Sequence, residues 1–158
     1  MDITKEMLDE MGVTALILDV DNTLTTHNNP EPDPKVRGWL AEMHSLGIRL
    51  VILSNNSKRR IQPFADSLGL GFVFFAMKPL PFGYARAVRE LKTPKYHVAI
   101  VGDQIFTDIL GARLYGAKAI LTEPFMPETG PLFRLKRRAE QFILRKYRGK
   151  PGKMEDKA

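Results

Sequence analysis

The sequence predicts an α/β fold built on an open, parallel sheet of five strands. Three observations lead there. Five short runs rich in leucine and β-branched residues recur along the chain. Segments with helical patterning alternate with those runs. The length, 158 residues, suits one domain and is too short for two α/β domains.

The first strand is Ala15–Leu18, and Arg49–Leu53, Gly71–Phe75, Val98–Val101 and Lys118–Leu121 follow. Runs of this length that are apolar on both faces fit central strands covered by helices on both sides. Asp33 and Pro34 read as an N-cap and a first helical residue, opening a helix that runs to about Leu46 before Gly47. Ser57 caps a second helix ending near Leu68 and Gly69. Pro81–Lys92 and Ile105–Tyr115 supply two more, and a basic amphipathic helix follows the last strand.

Composition narrows the function. Apolar residues at 44% and charged residues at 27% are the balance of a soluble globular protein. The absence of cysteine excludes a disulfide scaffold, thiolate zinc sites, iron–sulfur clusters and a cysteine nucleophile. No apolar run is long enough to span a bilayer, and none reads as a signal peptide. The net charge of +6 is concentrated: eight of 24 basic residues but one of 18 acidic residues fall between Arg134 and Lys150, so that segment carries +7 and the remainder −1. The partner class for such a segment is an anionic surface, with a membrane preferred to nucleic acid, while its apolar stripe of Leu132, Leu135, Ala139, Phe142 and Ile143 equally suits packing on the core.

In open parallel sheets ligands sit at the carboxyl ends of the strands. Here those ends carry Asp19, Asp21 and Thr23 after the first strand, Ser54 and Asn55 after the second, Lys78 after the third, and Asp103 and Asp108 after the fourth. Crowded carboxylates repel and need a cation, and oxygen-only ligands point to Mg²⁺. A lysine and a serine beside such an ion make a phosphate site, with the helix after Ser54 offering its N-terminal amides. One aspartate can attack phosphorus and form an aspartyl phosphate, while a second, two residues on, protonates the leaving oxygen and later activates water. A calcium loop beginning at Asp19 is disfavoured, because Leu24 and Pro30 stand where that loop requires glycine and glutamate. Asn55 and Asn56 also suit a plain turn, and His27, His44 and His97 lack ligand spacing.

The set Asp19-x-Asp21-x-Thr23, Ser54, Lys78 and Gly102-Asp103 with Asp108 resembles the four motifs of the haloacid dehalogenase phosphatases, in order and spacing, over residues 15–121. The Ser54-Asn55-Asn56 and Lys78-Pro79 details are similar to a YqeG-type IIIA subfamily that includes mitochondrial phosphatidylglycerophosphatases. The resemblance implies that Asp19 is nucleophile and Mg²⁺ ligand. It implies that Asp21 is general acid/base and binds the ion through its carbonyl, and that Thr23 braces the loop. Ser54 and the Asn55 amide would hold the phosphoryl group, Lys78 would neutralise the nucleophile and phosphoryl oxygens, Asp103 would bind the metal, and Asp108 would bind it or its waters.

Members of that superfamily often carry a cap domain, and the connections here leave no room for one. A capless site suits a large or membrane-borne phosphate monoester, or an oligomer that closes it. The expected layout is a phosphatase core over 1–130, the basic helix over 131–150 and a flexible tail over 151–158. The favoured function is a phosphatidylglycerophosphate phosphatase on the cytoplasmic face of a membrane. The alternatives are a phosphatase for a soluble ester or phosphoprotein with an oligomeric lid, and a protein that binds RNA or a ribosomal partner with vestigial catalysis.

Overall fold

The computed structural model describes residues 2–26, 29 and 31–126. The basic segment 131–150 and the tail 151–158 lie outside the described residues. All five expected strands form: β1 Ala15–Leu18, β2 Arg49–Leu53, β3 Gly71–Val73, β4 Val98–Gly102 and β5 Lys118–Leu121. They make one sheet in the order β3-β2-β1-β4-β5, and every pairing is parallel. The order reverses direction beside β1, so β1 and β4 are neighbours whose carboxyl ends open side by side. Leu18 pairs with Val101, and the amide of Asp19 continues the ladder by donating to Val101 O at 2.9 Å.

Helices α1 Lys5–Glu10, α2 Pro34–Ser45, α3 Lys58–Leu68, α4 Pro81–Leu91 and α5 Leu110–Tyr115 complete the layers. Alternation along the central strands divides the core. Leu16, Leu18, Ile52 and Val101 pack with Leu8, Trp39, Met43, Ile61 and Phe64. Ala15, Ile17, Leu53 and Ile100 pack with Tyr84, Ala87, Leu91 and Ala112. Helices α1 to α3 therefore cover one face of the sheet and α4 and α5 the other. Asp33 caps α2 as expected, accepting from the Lys35 amide at 2.8 Å.

The structure departs from the sequence reading in three places. Helix α1 was not expected; Thr4 caps it, and its one buried side chain, Leu8, is fully enclosed. Strand β3 stops at Val73, two residues early. Phe75 takes a left-handed φ of 43°, and the amides of Phe75 and Ala76 turn to Asn56 O and Ser54 O at 3.0 Å each. The segment expected as one helix over Ile105–Tyr115 instead opens with a π-helical turn, Ile105–Ile109, before α5.

Nothing is inserted as a second domain between β1 and α2 or between β2 and β3 among the described residues. None of the described helices is long and apolar enough to cross a membrane.

Candidate active site

Three of the four adjoining strand ends meet in a buried well. Asp19 follows β1, Lys78 lies on the loop after β3, and Asp103 and Asp108 follow β4. Asp19, Asp103 and Asp108 are all buried, and each offers a carboxylate oxygen within 4.8 Å of the others. The Lys78 ammonium, on a side chain only 5% exposed, donates to Asp19 Oδ1 at 2.5 Å and to Asp108 Oδ1 at 2.7 Å.

Local backbone choices create this well. The π turn brings the Ile109 amide to Gln104 O at 3.3 Å, beside the Asp108 amide on the same oxygen at 2.9 Å, and Asp108 Oδ2 accepts from the Gln104 amide at 3.2 Å. Single π turns of this kind are frequent at functional sites. A Cβ on Gly102 would run into the carboxyl group of Asp108, so only glycine lets that side chain lie against the end of β4. On the far side of the turn the buried Tyr84 hydroxyl donates to Thr107 O at 2.8 Å, and burial pushes its ionisation well above the usual tyrosine range.

Asn55 acts through its side chain. Its Oδ1 accepts from the Lys78 amide at 2.7 Å, and its Nδ2 donates to Lys78 O at 3.3 Å. This two-point clasp fixes the backbone from which the ammonium reaches inward. Met77, on the preceding residue, adopts a left-handed φ of 55°, a conformation that bulky residues rarely take and that clusters at functional sites.

The charge balance is uneven. Three carboxylates against one ammonium leave two negative charges in excess when all are ionised. Burial pushes the Asp19 carboxyl up to about 7, with Asp108 and Asp103 acting in the same direction and Lys78 opposing them. Burial works against the Lys78 charge too, but Asp19 and Asp108 outweigh it and hold the ammonium well above its ordinary range. A buried, oxygen-only donor set with surplus negative charge fits a hard divalent cation.

The remaining predicted residues stand around the well. Thr23 donates to Asp19 Oδ2 at 3.5 Å, on a loop where Asn22 has a left-handed φ of 63°. Ser54 is buried, and its hydroxyl accepts from the Asn56 amide at 3.1 Å. Helix α3 starts at Lys58 with Ser57 at its N-cap position, as expected, so the amides next to Ser54 belong to the turn before the helix and not to the helix end. Asp21 has other partners: Oδ2 accepts from Asn56 Nδ2 at 2.6 Å and Oδ1 from Arg60 Nη2 at 3.4 Å. Sequence reasoning missed Asn56 beyond its turn role, and missed Arg60 and Tyr84 altogether. The spacing of Arg60 from Ser54 was the one available signal, since it places the guanidinium on the first turn of α3.

Residues 27–116 match the haloacid dehalogenase-like hydrolases, and the chain belongs to that family. Within it the chain is YqeG-like. It is 38% identical over 142 residues to the "Probable phosphatase YqeG" of Bacillus subtilis, covering 90% of this chain and 83% of that protein. That relationship places it among the phosphatases of the family. Solved structures share the fold at lower identity. An uncharacterized protein from Listeria monocytogenes serotype 4b superposes with a TM-score of 0.57 at 19% identity, over 84% of this chain and 99% of that one. CbbY from Rhodobacter sphaeroides, solved in complex with phosphate, gives 0.58 at 16% identity, over 72% and 87%.

Proposed function

We propose that the chain is a Mg²⁺-dependent phosphomonoesterase working through an aspartyl phosphate, with phosphatidylglycerophosphate at the cytoplasmic membrane face as its substrate. The observation that carries the chemistry is the buried well, in which Asp19 shares one ammonium with Asp108 beside Asp103. Asp19, Asp103 and Asp108, with the carbonyl of Asp21, would hold Mg²⁺. The ion, when bound, offsets the surplus carboxylate charge and polarises the phosphoryl oxygens.

The steps belong to the protein's own groups. Asp19 attacks phosphorus, and the bond from phosphorus to the ester oxygen breaks. Asp21 gives that oxygen its proton. Ser54 and the Asn55 amide hold the transferring phosphoryl oxygens, and Lys78 offsets their charge. Asp21 then takes a proton from water, the water oxygen attacks phosphorus, and Asp19 leaves with its carboxylate restored. Thr23 braces Asp19 throughout.

Two features favour a lipid phosphate. The loop bearing Lys78 and the start of α4 leave Phe75, Met77, Leu80 and Phe82 about half exposed or more, and the segment Arg134–Lys150 carries +7. In this reading residues 1–130 are the catalytic core, 131–150 a basic amphipathic segment suited to an anionic surface, and 151–158 a tail. A panel of phosphate esters assayed with Mg²⁺ and including lipid phosphates tests it. Turnover of phosphatidylglycerophosphate in anionic vesicles above all soluble esters is the expected result. Faster turnover of a soluble ester would overturn the lipid assignment, and turnover of none would overturn the chemistry.

A further inference from the structure

Asp19 and Asp21 stand two residues apart on one loop, yet their carboxylates have separate partners. Asp19 lies in the well with Lys78. Asp21, with a side chain 15% exposed, has each oxygen engaged by a group from the β2–α3 region: Asn56 on Oδ2 and Arg60 on Oδ1. Arg60 uses the same Nη2 to reach Asn29 O at 3.4 Å, so it also spans to the segment beyond the catalytic loop. Two donors on two different oxygens fix both the position of a carboxylate and the rotation of its plane. A residue that must deliver a proton to one oxygen of a bound ester needs that control, because proton transfer depends on placement within hydrogen-bond reach.

We infer that Asn56 and Arg60 are positioning residues for Asp21, holding its carboxyl group aimed at the leaving oxygen and out of the buried acid cluster. The inference rests on the reading of Asp21 as general acid/base. Neither residue need touch the phosphoryl group. Their contribution runs through Asp21, and it matters in proportion to how much the departing oxygen needs a proton. An alkyl phosphate cannot release its alkoxide unprotonated. p-Nitrophenyl phosphate releases a stable phenolate and needs little help.

The leaving group is therefore the readout. The 158-residue chains carrying Asp21→Asn, Asn56→Ala, Arg60→Met and Arg60→Lys are assayed with Mg²⁺ on p-nitrophenyl phosphate and on an alkyl phosphate, kcat and KM being measured separately. Asp21→Asn should lose about 10²–10⁴-fold in kcat on the alkyl ester and much less on the nitrophenyl ester. Asn56→Ala and Arg60→Met should follow the same pattern at about 10-fold or more on the alkyl ester and under about 3-fold on the other. Arg60→Lys, which keeps one charged donor, should recover most of the alkyl activity. Equal losses on both esters would mean a merely structural role and overturn the inference. So would unchanged alkyl turnover in both Asn56→Ala and Arg60→Met while Asp21→Asn keeps its leaving-group dependence. If Asp21→Asn itself discriminates no leaving groups, the acid assignment falls and the inference with it.

Discussion

The inner well and the outer rim of the site are built from the same loop by opposite means. In the well, Asp19 is enclosed with two further carboxylates and a single ammonium, and desolvation dominates its chemistry. At the rim, Asp21 keeps contact with solvent and is held by an amide and a guanidinium. Two identical side chains, one residue between them, thereby stand in different surroundings. The well concentrates charge and suits attack on an anionic phosphoryl group once a cation is present. The rim offers a directed carboxyl group with access to water. Fold position decides which is which, since β1 ends against β4 on one side and against the turn into α3 on the other.

The largest effect should come from breaking the well. Asp19→Asn removes the proposed nucleophile while barely changing shape. Activity is expected to fall by at least ~10³-fold with the circular dichroism spectrum preserved. Near-normal turnover by the folded variant would remove the distinction between well and rim.

Withdrawing the proposed cation should act chiefly on the well. Activity is expected to vanish in EDTA, return with Mg²⁺ and be inhibited by Ca²⁺, whose looser coordination misplaces the reacting groups. Full turnover by dialysed protein in EDTA would contradict this.

A smaller perturbation sharpens the comparison from the backbone. Gly102→Ala forces Asp108 away from the end of β4. Overpacking of that kind costs about 1–3 kcal/mol, or roughly 2–10 °C in Tm for a domain of this size. Activity should drop by about 10-fold as Asp108 loses its place beside Lys78. Calorimetry and kcat on the same sample check both halves.

The last effect is a pH dependence of stability. The folded Asp19 carboxyl is pushed up to about 7, above its unfolded value of about 3.9. The folded state thus binds the extra proton across that window. The stabilisation tied to it is complete below about pH 4 and is lost as pH rises through about 7. In EDTA, the Tm of the natural protein should fall across this range relative to Asp19→Asn, and Mg²⁺ should reduce the difference. Parallel curves for the two proteins in EDTA would mean that burial does not strain Asp19.

Much of this was legible in the sequence, for physical reasons that also mark the limits. Apolar runs such as Arg49–Leu53 and Val98–Val101 have to be strands when both faces are covered, and the residues just beyond them have to share one edge. That logic brought Asp19, Lys78, Asp103 and Asp108 onto the same edge. It could not see β3 ending at Val73, because Phe74 and Phe75 continue the apolar pattern while the backbone turns toward Ser54 and Asn56. Periodicity could not separate the π turn from α5, since both present apolar residues at similar spacing. The six residues of α1 were too few to show a period. The partners of Asp21 depend on the approach of α3 to the catalytic loop, a tertiary fact that no local pattern encodes.

The central claim is that Asp19 carries the phosphoryl group during turnover. Acid quenching of the enzyme in steady state with Mg²⁺ and a good substrate would preserve an acyl phosphate. Borohydride reduction would then convert the modified aspartate to homoserine, which peptide mass spectrometry locates. The account predicts homoserine at position 19, dependent on substrate and absent from Asp19→Asn. Homoserine at Asp21 or Asp103 instead, or none at any aspartate while turnover proceeds under conditions that accumulate the intermediate, would contradict it.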